Sequence, residues 1–170
     1  EEGGWCSGGV RNLCTANSMS AVGSFSATSC VCNGGFEPTA AGACSVCGAG
    51  TWCSEGIKHV CGASSSSTAQ SSVETACVCD LGFFGPAGGT CAVCPAGSWC
   101  AGGVQNTCPE SSSAEEGSSA VTDCKCSPGS VGPDGGDCHV CPPDEWCAGG
   151  TESFACAANS SSPNGSSSAT

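Results

Sequence analysis

Apolar side chains are sparse along this chain and follow no helical period. Leu, Ile, Val and Phe together number 20 of 170 residues. They do not recur at the three- and four-residue spacing of an amphipathic helix. The stretches "GFFGPAGG" (82–89) and "GSVGPDGG" (129–136) predict turns, because glycine adopts positive φ and proline fixes its own φ. The pattern therefore predicts little helix.

Three 15-residue stretches are rich in serine and alternate small with polar residues: 15–29, 62–76 and 109–123. Such alternation is typical either of a short extended strand or of a solvated loop. We expect loops, with one short β-hairpin in each repeating unit.

Cysteine changes the interpretation of this polar composition. Few bulky apolar residues and a net charge of −12 would by themselves indicate disorder. The 20 cysteines instead indicate a disulfide scaffold, in which covalent links replace a hydrophobic core. Disulfides persist in oxidising compartments, so we expect an extracellular protein.

The cysteines recur with a period of 47 residues. Those at 44, 47, 53, 61, 77 and 79 return at 91, 94, 100, 108, 124 and 126, and Trp5, Trp52, Trp99 and Trp146 keep the same step. Only Cys156 is displaced, by one inserted residue. The period predicts two whole repeats, 46–92 and 93–139, flanked by partial repeats at 1–45 and 140–170. Six cysteines per repeat allow 15 disulfide connectivities, and spacing alone does not choose among them.

The residues carry no pattern of a catalytic or metal site. His59 and His139 have no histidine at their counterpart positions, and no nucleophile elbow, phosphate loop or HExxH motif occurs. Zinc sites use four ligands, which six cysteines per repeat do not supply evenly. No acidic cluster typical of calcium-binding modules precedes Cys47 or Cys94. We predict no enzyme activity, no bound metal and no cofactor.

Charge and hydropathy exclude two classes of partner. Three basic residues are too few to neutralise nucleic-acid phosphates. No apolar run approaches the length that spans a bilayer, so we expect no membrane contact in this segment.

The repeat resembles the EGF-like, ephrin-receptor-like cysteine-rich repeat. The resemblance rests on "CPAGSWC" (94–100), "CVCDLGFFGPAGGTC" (77–91) and "GPDGG" (132–136), and it extends over nearly the whole chain. Tandem repeats of this kind are similar to those of protist and algal mastigonemes, the hairs of flagella. The first repeat departs from the pattern, because "GGFEPTAAG" (34–42) lacks the Gly-Pro-x-Gly-Gly signature.

The resemblance implies a fold of tandem EGF-like modules in a rod-like array, with a first-to-third, second-to-fourth and fifth-to-sixth disulfide pairing. The implied bonds are Cys47–Cys61, Cys53–Cys77, Cys79–Cys91, Cys94–Cys108, Cys100–Cys124 and Cys126–Cys138, with Cys6–Cys30, Cys32–Cys44 and Cys141–Cys156 in the outer repeats. Under this scheme Cys14 and Cys147 need partners outside the chain. We therefore expect a segment of a longer array, or a polymer joined at these two cysteines.

Two further sets of residues are candidates for structural and modification roles. The tryptophan that precedes a cysteine in every repeat is expected to pack over a disulfide. Asn159 in "NSS" and Asn164 in "NGS" are candidate N-glycosylation sites, and the serine-rich stretches are candidates for O-glycans.

The resemblance implies a structural component of an extracellular filament, in particular a flagellar hair, located on the cell surface or the flagellar surface. The expected partners are neighbouring modules of the same or an identical chain, and a hydroxyproline-rich, glycosylated shaft protein. The alternative is the ectodomain of a cell-surface receptor or adhesin that binds protein or glycan.

Overall fold

The computed structural model describes residues 2–169, which form two compact units. One unit runs up to Val78 and includes Pro86–Thr90, and the other contains Cys79–Gly85 and the residues from Cys91 onward. All three points at which the chain passes from one unit to the other fall inside residues 46–92, so the compact units are not the sequence repeats. The repeat boundaries themselves stay a prediction.

The described chain is built from short strands and three single-turn 3-10 helices. The strands are β1 (Gly4–Ser7), β2 (Val10–Leu13), β3 (Ser18–Met19), β4 (Val31–Cys32), β5 (Phe36–Pro38), β6 (Cys44–Val46), β7 (Thr51–Ser54), β8 (Ile57–Val60), β9 (Ser65–Ser66), β10 (Val78–Cys79), β11 (Phe83–Phe84), β12 (Ala92–Val93), β13 (Ser98–Ala101), β14 (Val104–Thr107), β15 (Ser112–Ser113), β16 (Lys125–Cys126), β17 (Ser130–Val131), β18 (His139–Val140), β19 (Glu145–Trp146) and β20 (Phe154–Ala155). The 3-10 helices are η1 (Ala27–Ser29), η2 (Glu74–Ala76) and η3 (Val121–Asp123).

The longest strands form antiparallel hairpins that carry the repeated tryptophan. β1 pairs with β2, β7 with β8 and β13 with β14, each over four residues, and β19 pairs with β20 over two. Two-residue turns close the first three hairpins, at residues 8–9, 55–56 and 102–103, and φ is positive at both positions of each turn. Glycine occupies five of these six positions because it adopts positive φ without a steric penalty.

Two further kinds of strand pair complete a repeat. The serine-rich stretch contributes a two-residue strand, as in β3 with β4 and β15 with β16. The glycine-rich stretch contributes a further strand of two or three residues, as in β5 with β6, β11 with β12 and β17 with β18. The expected disulfide-rich fold with short β-hairpins is confirmed, but a repeat holds more than the single hairpin that the residue pattern predicts.

Cystines form the core. Apart from Ala114, every buried apolar residue of the described chain is a cysteine, and Cys47, Cys53, Cys94 and Cys100 have no exposed surface at all. Larger apolar side chains lie outside, as in Val60 at 78% and Leu13 at 71% exposure. Disulfide cross-links therefore replace the hydrophobic core that this composition cannot build.

The disulfides join cysteines that are neighbours along the chain. Within residues 2–169 the bonds are Cys14–Cys30, Cys32–Cys44, Cys47–Cys53, Cys61–Cys77, Cys79–Cys91, Cys94–Cys100, Cys108–Cys124, Cys126–Cys138 and Cys141–Cys147. Their sequence separations repeat as 6, 16 and 12 residues. In the chain-entropy model, closing loops of these lengths stabilises the fold by about 2 to 3 kcal/mol each.

This connectivity corrects the pairing that the EGF-like resemblance implies. Cys32–Cys44, Cys79–Cys91 and Cys126–Cys138 are as expected. The interleaved bonds are wrong: Cys47–Cys61, Cys53–Cys77, Cys94–Cys108, Cys100–Cys124, Cys6–Cys30 and Cys141–Cys156 do not form. The hairpin strand brings Cys53 to within a Cα–Cα distance of 6.0 Å of Cys47, and Cys61 lies 5.6 Å from Cys77.

The unpaired cysteines are also different from those expected. Cys14 and Cys147, predicted to need outside partners, are bonded to Cys30 and Cys141. Cys6 and Cys156 are the free thiols instead. Cys6 is the counterpart of Cys53, whose partner Cys47 precedes it by 6 residues.

Candidate functional site at the repeat junctions

One buried glycine joins each repeat to the next, and it uses both of its backbone polar groups to do so. The junction glycines are Gly35, Gly82 and Gly129, spaced by 47 residues. Each N–H donates to the carbonyl of the hairpin cysteine of the following repeat, at 2.8, 3.0 and 2.9 Å: Cys53, Cys100 and Cys147. Each carbonyl accepts from the N–H of the first cysteine of that repeat, at 2.9, 2.8 and 2.9 Å: Cys47, Cys94 and Cys141.

Only glycine fits this position. The junction glycines have φ of 83°, 80° and 86°, a region that side chains of L-residues disfavour. A Cβ atom would also lie 2.5, 2.4 or 2.6 Å from the carbonyl oxygen of the serine-rich stretch opposite, at Gln70, Gly117 or Gly165. Backbone thus packs directly on backbone at each junction, and a single methyl group would separate the two surfaces.

The surface that receives the junction glycine is made by two segments of the following repeat. The hairpin supplies the cysteine carbonyl, and the serine-rich stretch lies beside it because the Cys53 N–H donates to the Ser71 carbonyl at 2.9 Å. The Cys47–Cys53 bond is fully buried beneath this surface. We call this surface the receiving face. It also includes the carbonyl of the hairpin-turn glycine that lies three residues after the hairpin cysteine, as Gly56 lies after Cys53.

A second hydrogen bond strengthens two of the three junctions. The N–H of Gly85 donates to the Gly103 carbonyl at 3.0 Å, and that of Gly132 donates to the Gly150 carbonyl at 3.1 Å. At the remaining junction Pro38 occupies the donor position and has no N–H. An ion pair lies across that junction instead, with the Lys58 Nζ 3.0 Å from the Glu37 Oε1.

The serine-rich stretches are tied down by their hydroxyls at fixed positions. Two serines per stretch donate to the carbonyl three residues earlier, at 2.6–2.8 Å: Ser18, Ser65, Ser112 and Ser160, and Ser24, Ser71, Ser118 and Ser166. A third serine donates to the hairpin: Ser20 to Gly4, Ser67 to Thr51 and Ser162 to Glu145. Ala114 replaces this serine in one repeat and is buried. These stretches therefore hold the hairpin in place, which the expectation of solvated loops did not include.

The repeated tryptophans lie on the hairpins but are only half-buried. Each faces a cross-strand partner: Asn12 for Trp5, His59 for Trp52, Asn106 for Trp99 and Phe154 for Trp146. His59 stacks on Trp52 with ring centroids 4.0 Å apart, and Phe154 stacks on Trp146 at 4.6 Å. The hydrophobic interior of a repeat therefore consists of cystine rather than indole.

The remaining candidate residues lie on the surface. Asn159 and Asn164 are exposed, and Asn159 has a φ of 65° in a turn. Glycosylation of either stays a prediction. His139 is exposed on β18. Within residues 2–169 no group of three or more His, Cys, Asp or Glu side chains lies close enough to hold a metal ion.

Fold and junctions define a small, disulfide-rich tandem-repeat protein. A comparison with known proteins finds no matching family model, no matching curated protein and no matching solved structure. None of the helices described in residues 2–169 has the length and apolar character needed to cross a bilayer. Its many disulfides are typical of secreted and extracellular domains.

Sequence reasoning missed the junction glycines, although a signal was present. They stand at a fixed position, three residues after the second cysteine of every C-x-C pair. A glycine kept at one register throughout a tandem repeat indicates a backbone that another backbone approaches closely.

Proposed function

We propose that this protein is a structural component of an extracellular filament, of the kind found in flagellar hairs (mastigonemes), and not an enzyme. Disulfide-linked tandem repeats set a constant step along the fibre in this proposal. Its partners are neighbouring repeats of the same or an identical chain, and a hydroxyproline-rich, glycosylated shaft protein.

The proposal is carried by the recurrence of one junction. The same two backbone hydrogen bonds, to the same cysteine positions, are found at Gly35, Gly82 and Gly129. Repeats that meet their neighbours through identical contacts behave as quasi-one-dimensional arrays, whose stability is a sum of repeat and junction contributions. A fixed junction favours a load-bearing or space-setting role over a catalytic one.

The nature of the core supports an extracellular location. Eight of the nine disulfides among the described residues include at least one buried cysteine, and they provide the interior that apolar residues provide elsewhere. Such a fold depends on an oxidising environment and resists unfolding because each short loop restricts the unfolded chain. These properties suit a filament exposed to the medium.

Electron microscopy of the purified, oxidised protein tests the proposal. We expect fibres with a regular axial repeat. The Gly82→Ala variant, whose Cβ would lie 2.4 Å from a carbonyl oxygen, should lose that regularity. Gly8→Ala is the matched control, because Gly8 also has positive φ but no atom within 4 Å of the added Cβ. Isolated monomers of the unaltered protein under all conditions would overturn the proposal.

A receptor or adhesin ectodomain is the second candidate, favoured by the variation around the tryptophans. The cross-strand partner is asparagine in two repeats, histidine in one and phenylalanine in another, so the hairpins do not all present the same side chains. A binding module uses such differences for specificity, whereas a uniform filament does not need them. Glycan-array or pull-down binding that depends on one tryptophan only would favour this candidate.

A further inference from the structure

The first repeat contains a receiving face that no described residue covers. In each of the following three repeats, this face accepts the junction glycine of the preceding segment. In the first repeat the counterpart groups are the carbonyls of Cys6 and Gly9 and the backbone of Gly23. Within residues 2–169 no backbone N–H donates to either carbonyl.

This uncovered face is built like the covered ones. The Cys6 N–H donates to the Ser24 carbonyl at 2.9 Å, as the Cys53 N–H donates to Ser71 at 2.9 Å. Gly23 has a φ of 86°, close to the 69° of its counterpart Gln70. The hairpin β1–β2 has the same four-residue register as β7–β8. The face is therefore already formed before anything binds to it, so little conformational freedom is lost on binding.

We propose that the receiving face of the first repeat binds a donor loop: a disulfide-closed segment that begins Cys-x-x-Gly, supplied by another repeat of this type. The loop of Cys79–Cys91 is the template for this partner. Its glycine N–H groups, at Gly82 and Gly85, donate to the two carbonyls of the face they cover. An ordinary extended peptide does not fit, because any Cβ at the first of these positions meets a carbonyl oxygen.

The free thiol of Cys6 provides a second point of recognition. Where a receiving face is occupied, its hairpin cysteine forms a disulfide with the cysteine that follows the donor loop. Cys100, for example, is bonded to Cys94, which lies three residues after the end of the donor loop at Cys91. Cys6 is the same face cysteine, exposed and unbonded. A bound donor loop that carries the following cysteine therefore brings that sulfur next to Cys6.

Thiol–disulfide exchange provides a site-specific test on the chain of residues 1–170. The probe is a synthetic peptide of residues 79–94 that has the Cys79–Cys91 bond and carries Cys94 as a mixed disulfide with 5-thio-2-nitrobenzoate. The Cys6 thiolate attacks the Cys94 sulfur, a new Cys6–Cys94 disulfide forms, and thionitrobenzoate leaves with the electron pair of the broken bond. Its absorbance gives the rate, and peptide mapping identifies the modified cysteine. Cys156, the other free thiol, serves as an internal reference.

Binding should raise the rate at Cys6 through effective concentration. The reference reagent is free cysteine carrying the same thionitrobenzoate mixed disulfide. We expect the ratio of the exchange rate at Cys6 to that at Cys156 to be about tenfold higher or more with the peptide than with this reagent. The Gly82→Ala peptide should lose this preference, whereas Leu81→Ala should keep it, because the Leu81 side chain is 70% exposed at the covered junction. Equal preference from the unaltered and the Gly82→Ala peptides, or no preference from either, would overturn the inference.

The inference uses the junctions that support the proposed filament, yet the two fail separately. Fibres without selective labelling of Cys6 would refute the docking of a donor loop and leave the filament standing. Selective labelling by a protein that forms no fibres would refute the filament alone.

Discussion

The donor loops closed by Cys32–Cys44 and by Cys126–Cys138 perform the same task with different internal bonding. Both present a junction glycine, Gly35 or Gly129, to the following repeat through the same two hydrogen bonds. In the later loop, Gly135 also donates to the Cys124 carbonyl at 2.8 Å and so packs the loop onto η3. In the earlier loop the counterpart is Ala41, and the loop closes on itself through a Thr39 N–H bond to the Ala43 carbonyl at 2.8 Å.

This difference separates what a junction requires from what it tolerates. The earlier loop has lost the Gly-Pro-x-Gly-Gly pattern and with it two hydrogen bonds, because Pro38 has no N–H and Ala41 does not make the bond to the 3-10 turn. Its junction glycine and its closing disulfide are unchanged. The glycine therefore belongs to the mechanism of joining, and the rest of the loop adjusts its rigidity.

The largest expected effect is the loss of the junction in Gly35→Ala and Gly129→Ala. Positive φ costs an L-residue about 1–2 kcal/mol, and the clash with the carbonyl of Gln70 or Gly165 adds to this cost. We therefore expect each substitution to lower the free energy of unfolding by about 3 kcal/mol. Hydrogen exchange of the Cys47 and Cys141 amides, which donate to these glycines, reports the local loss. Both junctions should respond alike.

Gly8→Ala is the control for that pair, because its φ of 56° is also positive and no atom lies within 4 Å of the added Cβ. This variant should lower the free energy of unfolding only by the cost of positive φ for an L-residue, about 1 kcal/mol. If either junction variant behaved like Gly8→Ala, the close approach of the two backbones would be contradicted.

The next effect distinguishes the two loops. Gly135→Ala should destabilise the later loop by about 2 kcal/mol, because φ is 73° and a Cβ would lie 2.6 Å from the Val121 carbonyl oxygen. The reverse change in the earlier loop, Ala41→Gly, should cost at most about 0.5 kcal/mol, because Ala41 makes no such contact. Mass-spectrometric hydrogen exchange over residues 32–44 and 126–138 measures both. Similar responses would mean that the loops are bonded alike.

A smaller effect concerns the two ion pairs. Glu37 pairs with Lys58 across the earlier junction, and Asp134 of the later loop pairs with Lys125, which directly precedes that loop. All four side chains are partly exposed, so Glu37→Gln and Asp134→Asn should each cost about 0.5 kcal/mol at low salt and almost nothing at high salt. Denaturant unfolding at two ionic strengths checks this. A loss that persists at high salt would contradict a screened surface pair.

The smallest effect depends on pH and is confined to η3, onto which the later loop packs. Hydrogen bonds from the Ser119 and Ala120 amides to the carboxylate lower the pKa of Asp123 below its ordinary value of 3.8. A lowered folded-state pKa means that the stabilisation is present above the ordinary pKa and disappears as pH falls through the folded value.

Hydrogen exchange at the Ser119 and Ala120 amides, corrected for intrinsic rates, should therefore become faster only in acid, where the Asp123 carboxylate is protonated. Asp123→Asn should remove that pH dependence. Ala76 stands at the counterpart position in η2, which should show none. An Asp123 carboxyl that titrates at or above its ordinary pKa, followed by NMR, would contradict these hydrogen bonds.

The residues alone predict the repeat and the class of fold, but only a third of the implied disulfide bonds form. The 47-residue register of cysteine and tryptophan is visible in the residues alone, and the bond across the glycine-rich loop follows from the resemblance. The choice between Cys47–Cys53 and Cys47–Cys61 did not follow, because both partners lie within reach along an unfolded chain. The β7 strand decides it, since it returns Cys53 beside Cys47.

The serines show the same limit. Composition describes the stretches as polar and gives every serine in them the same expected role. It does not distinguish Ser67, whose hydroxyl bonds to the Thr51 carbonyl 16 residues away, from an exposed neighbour such as Ser66. The distinction depends on where the hairpin lies.

The sequence by itself determined the period, the disulfide scaffold in place of a hydrophobic core, the glycine-rich turns and the absence of a helical pattern, because each depends on residue type at a local spacing. The tertiary structure decided which cysteines meet, which serines are bound and why one glycine per repeat is irreplaceable. Those features depend on two backbones that approach each other from distant positions. No local pattern of side chains specifies such a contact, since the residue that permits it contributes no side chain at all.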